Sequence, residues 1–107
     1  MSQNYKLYKM LSDFDEQQMQ EITFGIKSGL DISWYADSNF SYEQMKEIRH
    51  GLQFGLDVSR YARPEFSPKQ MEEIRLGLIL GCDVSEYADP KLHPEDMRKI
   101  REKLYWV

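Results

Sequence analysis

The sequence predicts an all-α fold, a helical-hairpin repeat array or α-solenoid of about three and a half 26-residue units with terminal caps. The first observation is a period: Phe14, Phe40, Phe66 and Leu92 begin similar stretches 26 residues apart, without insertion or deletion. The second is that each full stretch carries the signals of a helix start and of a glycine turn. A fixed period of this length is typical of stacked supersecondary units.

The period divides a single domain into five segments. Residues 1–13 do not match the repeat, but Tyr5, Tyr8 and Leu11 recur at three-residue steps and predict an N-terminal cap helix. The remaining segments are repeat 1 (residues 14–39), repeat 2 (40–65), repeat 3 (66–91) and a half repeat with a C-terminal cap helix (92–107).

Each unit begins with a long helix. In the second unit, Ser41 followed by Gln44 forms a capping-box pattern, and Phe40 is placed to pack on Met45 as a hydrophobic staple. Ile48 continues the apolar stripe of Met45, which predicts the buried face. Related positions complete these patterns in the three units: Phe14, Asp15, Gln18, Met19, Ile22, Ile26, Leu52, Phe66, Ser67, Gln70, Met71, Ile74 and Leu78.

A glycine turn and a second helix follow. Gly55 suits the left-handed residue that ends a helix, and Asp57 can cap a second helix of one to two turns. Val58, Tyr61 and Ala62 are its expected inward residues. Gly25, Gly51 and Gly77 recur inside the long helices, which predicts that the short helix approaches too closely there to leave room for a Cβ atom.

The totals restrict the function classes. With 30% charged and 41% apolar residues, the chain is expected to be folded, without a membrane association. A net charge of −4 disfavours direct contact with nucleic acid, which requires a basic face. No signal peptide is recognisable at the start, so we expect a cytoplasmic protein. Cys82 is the single cysteine and is expected to be a small buried hydrophobe.

No catalytic, metal or cofactor site is predicted, so the expectation is a protein that is not an enzyme and has no cofactor. His50 and His93 occupy different positions of the unit and cannot form a site by pattern. Glutamates recur at Glu21, Glu47 and Glu73, and we expect them to form ion pairs between neighbouring units.

The side of the long helices opposite the core stripe is unexpectedly apolar and differs between units. These positions, with the residue before each recurring tyrosine, are the candidate partner-binding residues. They are Phe24, Ser28, Trp34, His50, Phe54, Arg60, Leu76 and Leu80. Positions that change between repeats commonly contact a ligand. The alternative is that this row packs against an adjoining helix, and self-association into a homodimer is a further alternative.

The first unit has the largest surplus of acidic over basic residues. Five acids against Lys27 give it a net charge of −4. The acids form a candidate acidic face: Asp15, Glu16, Glu21, Asp31 and Asp37. Such a face can contact a basic protein surface, although an acidic cluster is more commonly only a solvated surface.

The run from Gln44 to Ala62, with its near copies from Gln18 and Gln70, resembles a short repeat in proteins of mobile elements, conjugative elements and phages, of Gram-positive gut bacteria. The resemblance covers residues 14–104 and implies no catalytic residues. Together with the repeat array and its apolar outward positions, it leads us to expect a non-enzymatic protein-protein interaction module from a bacterial mobile element or phage. Small free-standing proteins of such elements are often inhibitors, so the alternative is an inhibitor that binds a host defence nuclease, an anti-CRISPR or anti-restriction protein.

Overall fold

The computed structural model describes residues 13–106, and within them the predicted all-α fold is confirmed. Four complete α-helices lie in this part of the chain: α1 (Glu16–Lys27), α2 (Tyr42–Gln53), α3 (Pro68–Ile79) and α4 (Pro94–Trp106). One-turn 3₁₀ helices follow the first three, at Ile32–Trp34, Val58–Arg60 and Val84–Glu86. The proposed cap helix over residues 1–13 lies outside the described residues except for Asp13, as does Val107.

The long helices start as their sequence predicts. In α2, the Ser41 hydroxyl accepts the backbone N–H of Gln44, and the Gln44 side chain accepts the backbone N–H of Ser41 in return. The same reciprocal capping box opens α1 at Asp15 and α3 at Ser67. These bonds satisfy donors that the first turn of a helix leaves free, and so they fix each helix start.

Each of α1 to α3 ends at a glycine in the left-handed region. Gly55 has a φ of 69°. Its N–H donates to the carbonyl of Leu52 at 3.1 Å, and the N–H of Leu56 donates to the carbonyl of Gly51 at 2.9 Å. This pair of bonds is the Schellman motif, which requires a positive φ that glycine adopts without strain. The predicted glycine turns are confirmed in all three full units.

The glycine inside each long helix receives a buried tyrosine. Tyr61 is fully buried, and its hydroxyl donates to the carbonyl of Glu47 at 2.7 Å. A Cβ atom on Gly51 would overlap that hydroxyl and lie 2.7 Å from Cγ1 of Val58. The close-approach explanation of these glycines is therefore confirmed. Burial opposes ionisation of the phenols and, for Tyr35, raises the pKa to about 12.

Successive long helices contact one another, and two polar links repeat between them. The Gln44 side-chain amide donates to the carbonyl of Phe66 at 2.6 Å. Gln18 makes the equivalent bond to the carbonyl of Phe40, and Gln70 makes it to the carbonyl of Leu92. Glutamate carboxylates pair with an arginine of the following helix: Glu21 with Arg49, Glu47 with Arg75 and Glu73 with Arg101. The expected ion pairs between units are confirmed.

The apolar stripe forms a continuous core, with one correction. Met45, Ile48, Met71 and Ile74 are fully buried. Ile26, which was expected to share this stripe, is 55% exposed, so that prediction was wrong. Leu52 and Leu78, its equivalents in the second and third units, are half-buried because described units flank them on both sides. Within the described residues, α1 has such a neighbour on one side only.

The helices and turns together extend over 55 × 24 × 17 Å. Each of the helices α1, α2 and α3 packs against the next long helix along the chain. Among residues 13–106, no helix is both long enough and apolar enough to cross a membrane.

Candidate protein-binding surface

Six candidate residues occupy two repeat positions at the C-terminal ends of α1, α2 and α3. Phe24, His50 and Leu76 occupy the first position, and Ser28, Phe54 and Leu80 occupy the second, one helical turn later. We call these six residues together the outward row. The structure therefore places six of the eight candidate partner-binding residues at two matching positions of three adjacent helices.

Four of the six residues of the outward row are exposed. Phe54 is 67% exposed, Phe24 53% and Leu80 38%, and Ser28 is exposed as well. Phe54 and Leu80 are the last residues before the glycine turn, and their N–H groups donate back to the carbonyls of His50 and Leu76. The turn geometry thus fixes the backbone of each position while the side chain remains in solvent.

The middle of the row is partly covered. His50 and Leu76 are half-buried. Burial, together with the neighbouring Arg49 guanidinium, lowers the pKa of His50 below its usual value of 6.5. Arg49 itself lies 4.3 Å from the centre of the Phe24 ring, in a cation–π contact, while its Nε donates to Glu21.

The two remaining candidates lie on a different element. Trp34 and Arg60 belong to the 3₁₀ helices, beyond the glycine turns, and Glu86 is their equivalent in the third unit. All three are exposed, Trp34 by 42%. Each of them immediately precedes the buried tyrosine of its unit, so the backbone position is the same in all three units. The exposed side chain at that position is aromatic in the first unit, basic in the second and acidic in the third.

The sequence interpretation missed part of this surface. Trp106 is 79% exposed and Tyr105 is 47% exposed, and their rings meet edge to face with centroids 5.0 Å apart. Ile79, the equivalent of Tyr105 in α3, is 44% exposed. The signal was present: the 26-residue period carried past Leu92 places Trp106 at the position of Phe54 and Leu80.

The five residues of the proposed acidic face do not have equivalent surroundings. Asp15 caps α1, Asp31 accepts the N–H of Ser33, and Asp37 accepts the N–H of Asn39 at 2.9 Å. Glu21 is in the ion pair with Arg49, and its side chain is 15% exposed. Glu16, together with the outer oxygens of the three capping aspartates, therefore offers the carboxylate that is accessible to a partner.

The exposed side chains of this surface include large apolar groups that can contact a partner. Across residues 13–106, no three histidine, cysteine, aspartate or glutamate side chains are grouped as they would be to hold a metal ion. Aromatic and aliphatic side chains dominate the exposed positions near the helix ends. Such groups gain free energy when water is excluded from them.

Comparisons with known proteins give no relative, since no protein-family model, no curated protein and no solved structure matches this chain.

Proposed function

We propose that the chain is a non-enzymatic protein-binding module in which the repeated units form an open array and the outward row contacts a protein partner. The observation that carries the proposal is the exposure of Phe54, Leu80 and Trp106 at matching positions of a repeating frame, with Phe24 exposed one helical turn earlier in the first unit. Large aromatic side chains on a surface are typical anchors of protein interfaces.

The proposed array is supported by contacts that recur between each unit and the next. Gln18, Gln44 and Gln70 make equivalent bonds to the next unit, and so do the glutamate–arginine pairs. If stability arises mainly from such nearest-neighbour links, one unit can be removed without loss of the fold. Deletion of residues 40–65 would leave Glu21 opposite Arg75 and Gln18 opposite the carbonyl of Phe66.

The module proposal is tested by placing a charge on the row. Phe54→Asp changes a side chain that is 67% exposed, so we expect its free energy of unfolding to change by less than about 0.5 kcal/mol. We expect at least about a tenfold loss of affinity for a partner purified on the wild-type chain, measured by titration calorimetry. The matched control is Gln17→Asp, which introduces the same charge at an exposed residue of the first turn of α1, away from the outward row.

The two changes separate binding from folding. If both variants bind the partner with the same affinity, the outward row is not the contact surface. A large loss of unfolding free energy in Phe54→Asp would instead show that the row packs within the fold in solution.

A second proposal is inhibition of a host defence nuclease, supported by the exposed carboxylates of the first unit, Asp15, Glu16, Asp31 and Asp37. An acidic surface can occupy a groove whose lysines and arginines otherwise bind phosphate. The test is a nuclease assay with and without the chain, repeated after neutralising Glu16 and Asp37. Glu21 is left unchanged, because its neutralisation would break the pair with Arg49. Inhibition that is unchanged by the two substitutions would contradict the electrostatic mechanism.

A further inference from the structure

The side of each long helix that faces the following unit carries a repeated set of contacts. In α3, Glu73 pairs with Arg101 of α4, Gly77 receives the Tyr87 hydroxyl, and Ile74 is fully buried. The same arrangement occurs on α1 and α2. This side is therefore a surface that receives a short helix and then a long helix, three times within the described residues.

On α4, the equivalent side is an open groove. It is lined by Lys99, Ile100, Glu102, Lys103 and Trp106. We call it the α4 groove. Ile100 is half-buried where Ile22, Ile48 and Ile74 are fully buried, and Trp106 is 79% exposed. The groove shares Glu102 and Trp106 with the positions that continue the outward row, and Lys99, Ile100 and Lys103 lie outside those positions.

Three substitutions in α4 make the groove unsuitable for another copy of the unit. Lys99 stands where Glu73 pairs with arginine, so a further unit would set a lysine against an arginine. Lys103 replaces the glycine that admits the tyrosine hydroxyl. Asp96 replaces Gln70, whose amide donates to the carbonyl of Leu92, and a carboxylate cannot donate that bond.

The same substitutions define what the groove accepts. Lys99 and Lys103 are one helical turn apart and present two positive charges beside the apolar surface of Ile100 and Trp106. The carboxylate of Glu102 also lines the groove but is paired with Arg98 at 3.8 Å, so the two lysines leave the groove with a net positive charge.

Suppose that a partner helix packs on α4 in the way that α2 packs on α1. Its residue at the position of Arg49 would then lie next to Lys99, because Lys99 is the α4 equivalent of Glu21, the partner of Arg49. Charge complementarity then requires a carboxylate at that position, one turn away from apolar residues.

We propose that the α4 groove binds an acidic amphipathic helix of a partner protein, with a carboxylate of that helix opposite Lys99. This inference goes beyond the module proposed above, because its charged contact is at Lys99, outside the outward row, and it specifies the chemistry of the bound segment. Helix-in-groove recognition of this kind uses apolar anchors at three- and four-residue spacing, as the packing of α2 on α1 does.

A charge-reversal experiment tests the proposal on the whole chain. The probe is a synthetic peptide of residues 40–56 with Arg49→Glu, and the matched control is the same peptide with Arg49 retained, both closed by the same side-chain staple so that both are helical. We expect the Arg49→Glu peptide to bind at least about tenfold more tightly, by calorimetry at roughly 0.15 M salt. We expect the protein variant Lys99→Glu to reverse this order.

Three results would overturn the proposal: equal affinity for both peptides, no binding of either, or an order of affinities that Lys99→Glu leaves unchanged. A scrambled peptide with the composition of the Arg49→Glu peptide must bind more weakly, since otherwise charge alone accounts for the result. Chemical-shift changes at the Ile100 methyl groups and the Trp106 indole N–H are expected on binding, and their absence would place the peptide elsewhere.

Two controls separate this inference from its alternatives. A dimer in sedimentation experiments that Trp106→Asp dissolves would make a second copy the occupant of the groove and would overturn the proposal. Phe54→Asp is expected to leave the peptide preference intact, because Phe54 lies on α2. The experiments can therefore contradict binding by the outward row while supporting helix binding by the α4 groove, and they can also give the opposite result.

Discussion

The contacts between units and the outward row differ in how strictly they repeat. Between units, glycine, tyrosine, glutamine and glutamate recur without change, at Gly25, Gly51 and Gly77 for example. In the outward row, the same helical position holds Phe24, His50 and Leu76. The difference teaches that identity is retained where a side chain must fit a neighbouring unit, and that the exposed positions tolerate change without loss of the fold.

A physical reason accounts for this contrast. Tyr61 fits only against a glycine, and its hydroxyl bond to Glu47 requires the helix backbone at hydrogen-bond distance. A side chain at position 51 would displace both. Phe54 meets no such requirement because two-thirds of its surface is in solvent. Predictions that test the two regions should therefore differ in size.

The largest effect is expected at Gly51. Helix propensity alone predicts that Gly51→Ala would stabilise α2 by roughly 1 kcal/mol. Overlap of the new Cβ with the Tyr61 hydroxyl predicts the opposite sign, and we expect a net loss of about 2–3 kcal/mol. The measurement is the free energy of unfolding in urea.

The control for this substitution is Gly55→Ala, where nothing lies within 4 Å of a new Cβ and only the positive φ of 69° opposes the change. Its cost should be about 1–2 kcal/mol. A stabilised Gly51→Ala chain would show that the short helix does not pack on α2 in solution as it does here.

A smaller effect is expected for the ion pair between Glu47 and Arg75, which are 2.9 Å apart with 14% of each side chain exposed. Arg75→Ala leaves the carboxylate of Glu47 without its partner in a partly buried place, and we expect a loss of about 1.5 kcal/mol. A double-mutant cycle with Glu47→Ala isolates the pair energy.

The matched comparison is Arg98→Ala, which removes pairs with Glu95 at 3.0 Å and with Glu102 at 3.8 Å on the exposed face of α4. That change should cost less than about 0.5 kcal/mol. Equal costs for the two arginines would mean that the pairs between units contribute no more than surface charges do.

The smallest effect is expected from protonation of His50. Burial lowers its pKa in the folded chain, so the unfolded chain binds a proton more readily as the pH falls through about 6.5. The contribution of His50 is therefore present at pH 7.5 and declines toward pH 5.5. The urea midpoint should fall over this interval, and His50→Gln should reduce the fall. An unchanged pH dependence in the variant would assign it to other groups.

The two sides of α4 differ in how closely they follow the residues of the other units. Its residues facing α3 keep the common pattern, as in the bond between Arg101 and Glu73. On its opposite side, Lys99 and Lys103 replace the glutamate and glycine of the other units. One side of α4 therefore makes the contact that the other units repeat, and the opposite side differs from them in charge and in side-chain size.

The sequence alone determined the local structure of this protein, because local signals are short and self-contained. Capping boxes at Ser41 and Ser67, the left-handed Gly55 and the first-turn prolines of α3 and α4 each act within a few residues. The period also predicted that the glutamates pair between units, since residues two apart on a helix do not face each other.

Only the tertiary structure decided which arginine each glutamate meets, how far Ile26 is exposed and that Glu21 is already paired. These outcomes depend on the angle and distance between neighbouring helices, which no short run of residues specifies. The sequence could not show that the Gln44 amide, used as a cap, also donates to the Phe66 carbonyl of the next unit. Burial is a property of the whole assembly of units, so it emerged only when the units were packed together.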